Sequence, residues 1–167
     1  MAKVDLTIFC AEPGTGWRHE AMMAPFRYAN RMYATNGHIC VRVPSKGPGT
    51  LKKAVRPNVK DLAWSWSFWA AAWKPLKSTG PEPVDFVDQC GVSVSNYVIE
   101  TIGRPVLIRA VHFETLMTLP GIEYLTVPHG CGRHKATQTL RLRFDGGEAL
   151  VVCTDPVEAK LKANGGR

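Results

Sequence analysis

Apolar and polar positions alternate along "RMYATNGHICVRVP", residues 31–44, on both sides of an Asn-Gly pair. Met32, Ala34, Ile39, Val41 and Val43 form one set and Tyr33, Thr35 and Arg42 the other, the two-residue period of a half-buried strand. Asn36 and Gly37 both tolerate positive φ, as the two centre positions of a type I′ turn require. The pattern predicts a hairpin over 32–43. Pro44 closes it, having no N–H to give to a ladder.

The same reading extends along the chain. Residues 3–10, "KVDLTIFC", predict a strand with Val4, Leu6 and Ile8 on one face. Residues 17–29, "WRHEAMMAPFRYA", are helix-like but interrupted by Pro25. Residues 44–57 are rich in Pro, Gly and Lys and predict an exposed loop. In "NVKDLAWSWSFWAAAWKP", residues 58–75, Val59, Leu62, Trp66, Trp69 and Trp73 recur at three-to-four-residue spacing, the stripe of an amphipathic helix. Asn58 with Asp61 supplies its start and Pro75 its end. The Trp stripe fits a core better than a base-stacking surface. Trp64 and Phe68 fall off the stripe and are the candidates for binding a partner.

"KSTGPEPVD", residues 77–85, predicts a second loop and the boundary between two halves. Strands follow at 92–99 and 105–109, then a short helix at 110–119 expected to bury Val111, Phe113, Leu116 and Met117, stopped by Pro120-Gly121. Strands at 122–127, 139–144 and 148–153 come next, the last two joined by Asp145-Gly146-Gly147. The tail, 157–167, is charged and expected to fray. The halves, about 1–80 and 81–156, each run strand, helix, strands, so the order predicts one α+β domain built from an internal structural repeat.

Composition bounds this picture without changing it. The 167 residues are 45% hydrophobic and 21% charged, enough for a sizeable single core. No apolar run is long enough to predict a transmembrane helix, and the first residues, with Lys3 and Asp5, lack the apolar stretch of a signal peptide. Five scattered cysteines, an odd number, predict reduced thiols and a cytoplasmic setting.

Charge adds something new. The net charge is +7, and residues 1–80 hold 12 Lys/Arg against 4 Asp/Glu while residues 81–167 hold 9 against 10. All of the positive excess therefore lies in the first half, as expected of a chain that meets an anionic partner such as nucleic acid. Solubility alone would also explain basic residues that form no dense tract.

Chemistry-bearing patterns are few. There is no G-x-S-x-G, H-E-x-x-H or C-x-x-C, and "GTG" at 14–16 lacks the rest of a phosphate loop, so no enzyme, catalytic residue or cofactor is expected. "PHGCGRHK" gathers His129, Cys131 and His134, types that zinc accepts, but a fourth ligand would have to come from afar, Cys90 for example. A glycine-rich loop is the alternative there. His38 fits a hydrogen-bonded hairpin residue rather than a base.

"YATNGHICVRV" resembles the "ATDGHRLA" hairpin of bacterial DNA sliding clamps, the processivity rings of replicative polymerases: Thr35, Gly37 and His38 match, and Asn36 stands where that family has Asp. "HFETLMTLPGIEYLTV … LRLRFDGGEALVV" is similar to the clamp ending, in which a short helix leads into strands. The resemblance implies a duplicated clamp-like unit, antiparallel sheets with helices packed on one side, in a single-domain form like phage or prophage products. It further implies helices whose Lys and Arg hold duplex DNA through its phosphates, without reading bases. The positions that would serve are Arg18, Arg27 and Arg31 around the first helix, Lys52, Lys53 and Arg56 in the loop, and Lys60 at the start of the Trp helix.

Two functions are then expected. One is a non-enzymatic, DNA-associated accessory protein binding double-stranded DNA through the basic N-terminal half. The other is a phage-encoded protein-binding module that engages or inhibits a host nuclease, defence or replication complex. Either is compatible with oligomerisation, and neither calls for a membrane.

Overall fold

The computed structural model describes residues 4–14, 22–28, 30–46, 74–87, 91–101, 105–126, 137–154 and 160–161. Antiparallel sheet dominates them, with one α-helix, so the class is mixed but sheet-rich. The strands are β1 (Phe26–Tyr28), β2 (Arg31–Thr35), β3 (Ile39–Pro44), β4 (Lys74–Pro75), β5 (Val84–Val87), β6 (Ser93–Ile99), β7 (Val106–Arg109), β8 (Glu123–Thr126), β9 (Thr137–Phe144), β10 (Gly147–Thr154) and β11 (Lys160–Leu161). The helix, α1, spans Ala110–Leu116.

Strand β10 organises the sheet. One edge pairs with β9 along its whole length, and β9 continues to β8 and then β4. The other edge is shared: Glu148–Val151 pair with β3, and Thr154 pairs with Leu107 of β7. Beyond β3 lie β2 and β1, and beyond β7 lie β6, β5 and β11. Two three-stranded meanders, β1-β2-β3 and β8-β9-β10, thus meet through their third strands.

The core lies on one face of this sheet. Ala34, Ile39 and Val41 of β2 and β3, Leu140, Leu142 and Phe144 of β9, and Ala149, Val151 and Cys153 of β10 are buried together. Ile99, Val106 and Ile108 extend the cluster to β6 and β7. Helix α1 closes it with Leu116, followed by Leu119 in the turn, while the Phe113 ring packs tilted against Tyr97 with centroids 4.3 Å apart. The stripe that docks is therefore 113, 116 and 119. Val111 and Met117, expected inside, are 62% and 49% exposed, because the helix lasts only seven residues and presents a narrow face.

The hairpin forms where the alternation places it, with Thr35 opposite Cys40 and Arg31 opposite Pro44. Its turn differs from the expected type I′. Gly37 takes φ +87° and Asn36 does not enter the positive region. The bend is centred on Gly37-His38, with positive φ at its first centre position as in type II′. Asn36 contributes its side chain: Oδ1 accepts the N–H groups of His38 and Ile39, each at 2.9 Å.

Other expectations are corrected. The strand expected over 3–10 is not formed by the described residues 4–10; Thr7–Phe9 is a 3₁₀ turn. The Asp5 carboxylate accepts the Thr7 N–H at 2.9 Å and its hydroxyl at 2.7 Å, a local closure that competes with an extended ladder. Leu6 and Phe9, three apart, are buried, and Ile8 turns outward. Phe26–Tyr28, at the end of the helix-like stretch, is strand β1: Pro25 breaks the helical pattern just before it, and the alternating aromatics pair with β2.

Residues 77–85 do not form a free loop. Ser78 bridges Ile99, Thr79 N–H donates to the Val98 carbonyl at 2.7 Å, and β5 begins at Val84. The tail contributes β11, paired with β5. The predicted Trp helix lies outside the described residues apart from Lys74 and Pro75, which form β4.

Candidate nucleic-acid interface

Register places the chemistry on the face opposite the main core. Residues directly opposite each other in an antiparallel sheet share a face. Phe26 lies opposite Tyr33, Tyr33 opposite Arg42, Arg42 opposite Glu148, Glu148 opposite Arg143, and Arg143 opposite Glu123. One row thus crosses six strands, from aromatic side chains at one end to alternating cations and anions at the other. In the next row Thr35, Cys40, Leu150 and Arg141 stand opposite one another in turn.

The aromatic end is packed. Phe26 and Tyr33 stack at 5.5 Å with their planes 9° apart, and Tyr28 tilts against Tyr33 at 6.5 Å. Tyr33, Cys40 and Leu150 form a small buried cluster against which Phe26 and Tyr28 pack. Burial pushes the Cys40 thiol up to about 12, and the side chain packs with Tyr33 and Leu150.

The charged end is an ion network. Glu148 Oε2 accepts from Nε of Arg42 at 2.9 Å and from its Nη2, and Oε1 accepts from Arg141 Nη2 at 2.8 Å. The three side chains are 13–18% exposed. Burial alone would raise the Glu148 carboxyl; the hydrogen bonds from Arg141 and Arg42 and their positive charge outweigh it and hold the group below its ordinary value. Arg143 pairs with Glu123 at 2.8 Å, half in solvent. An exposed pair of this kind is worth little to stability.

The hairpin tip touches α1. The His38 and His112 rings stack with centroids 5.0 Å apart, and the His38 carbonyl accepts the Val152 N–H at 2.9 Å. His38 is thus a tip residue joining the hairpin to the helix and to β10.

Of the basic residues expected to contact DNA, Arg27 and Arg31 are described. Arg27 stands opposite Met32 and Arg31 opposite Tyr28, so they project from opposite faces of the β1–β2 ribbon. Arg18, Lys52, Lys53, Arg56 and Lys60 lie outside the described residues, as do the partner-binding candidates Trp64 and Phe68 and the metal candidates His129, Cys131, His134 and Cys90. Among the described residues no three His, Cys, Asp or Glu side chains are grouped to hold a metal ion. Lys/Arg and Asp/Glu are nearly balanced among the described residues, so most of the positive excess belongs to the rest of the chain, Arg18 and Lys52–Lys60 included.

Sequence reasoning missed the row itself. Arg141 and Arg143 alternate visibly in "TLRLRF", whereas the Glu148 carboxylate that Arg141 shares with Arg42, and the Glu123 that pairs with Arg143, follow only from the register. No described helix is long and apolar enough to cross a membrane. Comparison of the chain with family models, with curated proteins and with solved structures finds no match.

Proposed function

We propose that this chain is a non-enzymatic, DNA-associated accessory protein with a duplicated, sliding-clamp-like architecture, binding double-stranded DNA through the basic residues of its first half. The observation that carries the reading is the junction of two three-stranded meanders through β3 and β10, each ending in a strand that follows a glycine turn. That arrangement supports duplication of one unit, the architecture that the clamp resemblance implies. The concentration of positive charge in residues 1–80 supplies the reason for a polyanionic partner. Contact with phosphates alone needs many weak cations and no catalytic group.

The test is fluorescence anisotropy of a labelled duplex over a salt series. Affinity falls linearly with salt on logarithmic axes, with a slope near 0.9 per phosphate neutralised. Each charge reversal among Lys52→Glu, Lys53→Glu and Arg56→Glu lowers that slope by about 1. Affinity that is flat with salt overturns the reading.

A second reading, a module that binds an acidic surface of a DNA-handling protein complex, is favoured by one observation. Arg42, Arg141 and Arg143 are matched by carboxylates of the same face, as at protein interfaces that use charge to fix register. Recovery of one partner protein after nuclease treatment, with no affinity for bare duplex, selects it.

A further inference from the structure

The clamp reading does not use the chemistry of Asn36-Gly37 itself. In an Asn-Gly pair the glycine nitrogen, on losing its proton, can attack the asparagine Cγ. The Cγ–Nδ2 bond breaks and ammonia leaves with the proton. The resulting succinimide adds water at one carbonyl to give aspartate or at the other to give isoaspartate. Glycine permits this because it has no Cβ to obstruct the approach.

Here both reacting groups are committed elsewhere. The Gly37 N–H donates to Thr35 Oγ1 at 3.0 Å. The Thr35 hydroxyl in turn donates to the Ile39 carbonyl at 2.7 Å, which turns its lone pairs toward Gly37. The Asn36 Oδ1 is held by two N–H groups at 2.9 Å, those of His38 and Ile39, and its own N–H donates to the Ile39 carbonyl at 3.3 Å. Thr35 is buried, so water does not readily replace it as the acceptor.

We propose that Asn36-Gly37 is a guarded deamidation site, with the Thr35 hydroxyl as its guard: the native turn holds the Gly37 nitrogen as a donor and the Asn36 carboxamide as an acceptor, and reaction requires the hairpin tip to open. The two products differ in consequence. Aspartate at 36 keeps an oxygen for both N–H groups and preserves the turn. Isoaspartate adds a main-chain carbon, which the pairing of Thr35 with Cys40 cannot accommodate, and it draws His38 away from His112 on α1. Ageing through isoaspartate therefore uncouples the hairpin from the helix.

The experiment is peptide mapping of the intact chain during incubation at mildly alkaline pH, native and in urea. Asn164-Gly165, the second such pair in the sequence, is followed in the same digests. In the native chain Asn36 reacts at least about tenfold more slowly than in urea, the ratio expected of a group reached by local opening. Thr35→Val speeds the native reaction severalfold, while Thr35→Ser, which keeps the hydroxyl, stays at the native rate. Equal rates for Asn36 in the native and unfolded chains overturn the proposal, as does a folded Thr35→Val chain that reacts no faster than the parent. The native-to-urea ratio needs no variant, so it decides the matter even if Thr35→Val does not fold.

Discussion

Arg42 and Glu148, 106 residues apart in the sequence, face each other across β3 and β10 and tie the two meanders together. The carboxylate also holds Arg141, so its removal leaves two guanidinium groups, both mostly buried, without it. Breaking a buried pair from one side costs about 3 kcal/mol or more. Glu148→Ala is expected to lower stability by roughly 3 kcal/mol, read from the urea midpoint at constant m-value. A midpoint unchanged within error would mean that the network contributes nothing net.

The same carboxyl sets a pH dependence. Its folded value lies below the ordinary glutamate value of 4.5. The unfolded chain therefore takes up the proton first, and stability rises with pH through this window. The contribution is fully present above pH 4.5 and is lost as pH falls through the folded value. Acid titration of the urea midpoint is expected to show a shallower fall for Glu148→Gln than for the parent chain. Parallel curves would contradict the assignment.

Two adjacent glycines, Gly146 in the β9–β10 turn and Gly147 at the start of β10, are expected to behave differently. A Cβ at Gly147 would overlap the Arg42 carbonyl of the neighbouring strand and lie 2.5 Å from the Phe144 ring. Backbone cannot yield as a side chain tip can, so Gly147→Ala should cost about 3 kcal/mol or prevent folding. At Gly146, with φ +103°, nothing lies within 4 Å of a Cβ, and Gly146→Ala should cost only the backbone term of about 1–2 kcal/mol. Thermal melts of the two variants give the order directly; equal losses would refute the close approach of β3 and β10.

Burial holds the thiols of Cys40 and Cys153 near 12 and raises that of Cys10. Cys40 and Cys153 should resist alkylation at about pH 8 in the native state and react only as fast as the chain opens. Mass mapping of labelled peptides checks this, and modification at the rate of a free thiol would contradict it.

Much of the sheet was legible because its signals are local. Alternation marked β2, β3, β6, β7, β9 and β10, and Pro120-Gly121 marked the end of the helical segment. The misreadings also have local causes. Asp5 closes a turn onto Thr7 where the apolar pattern alone favours a strand, and the aromatic spacing of Phe26 and Tyr28 is too short to declare its period. The row from Phe26 to Glu123 had no local signature. It depends on pairing β3 with β10, a contact between distant segments that alternation permits without specifying. The five basic positions of the candidate DNA surface outside the described residues rest on the sequence alone, so solution binding decides their role.

Engagement of duplex DNA by this chain is decided by light scattering after size exclusion, with and without a short duplex at low salt. Protein and DNA are expected to elute together as a species of larger mass that dissociates when salt is raised. A protein whose mass and elution ignore the duplex would contradict it and turn the search to a protein partner.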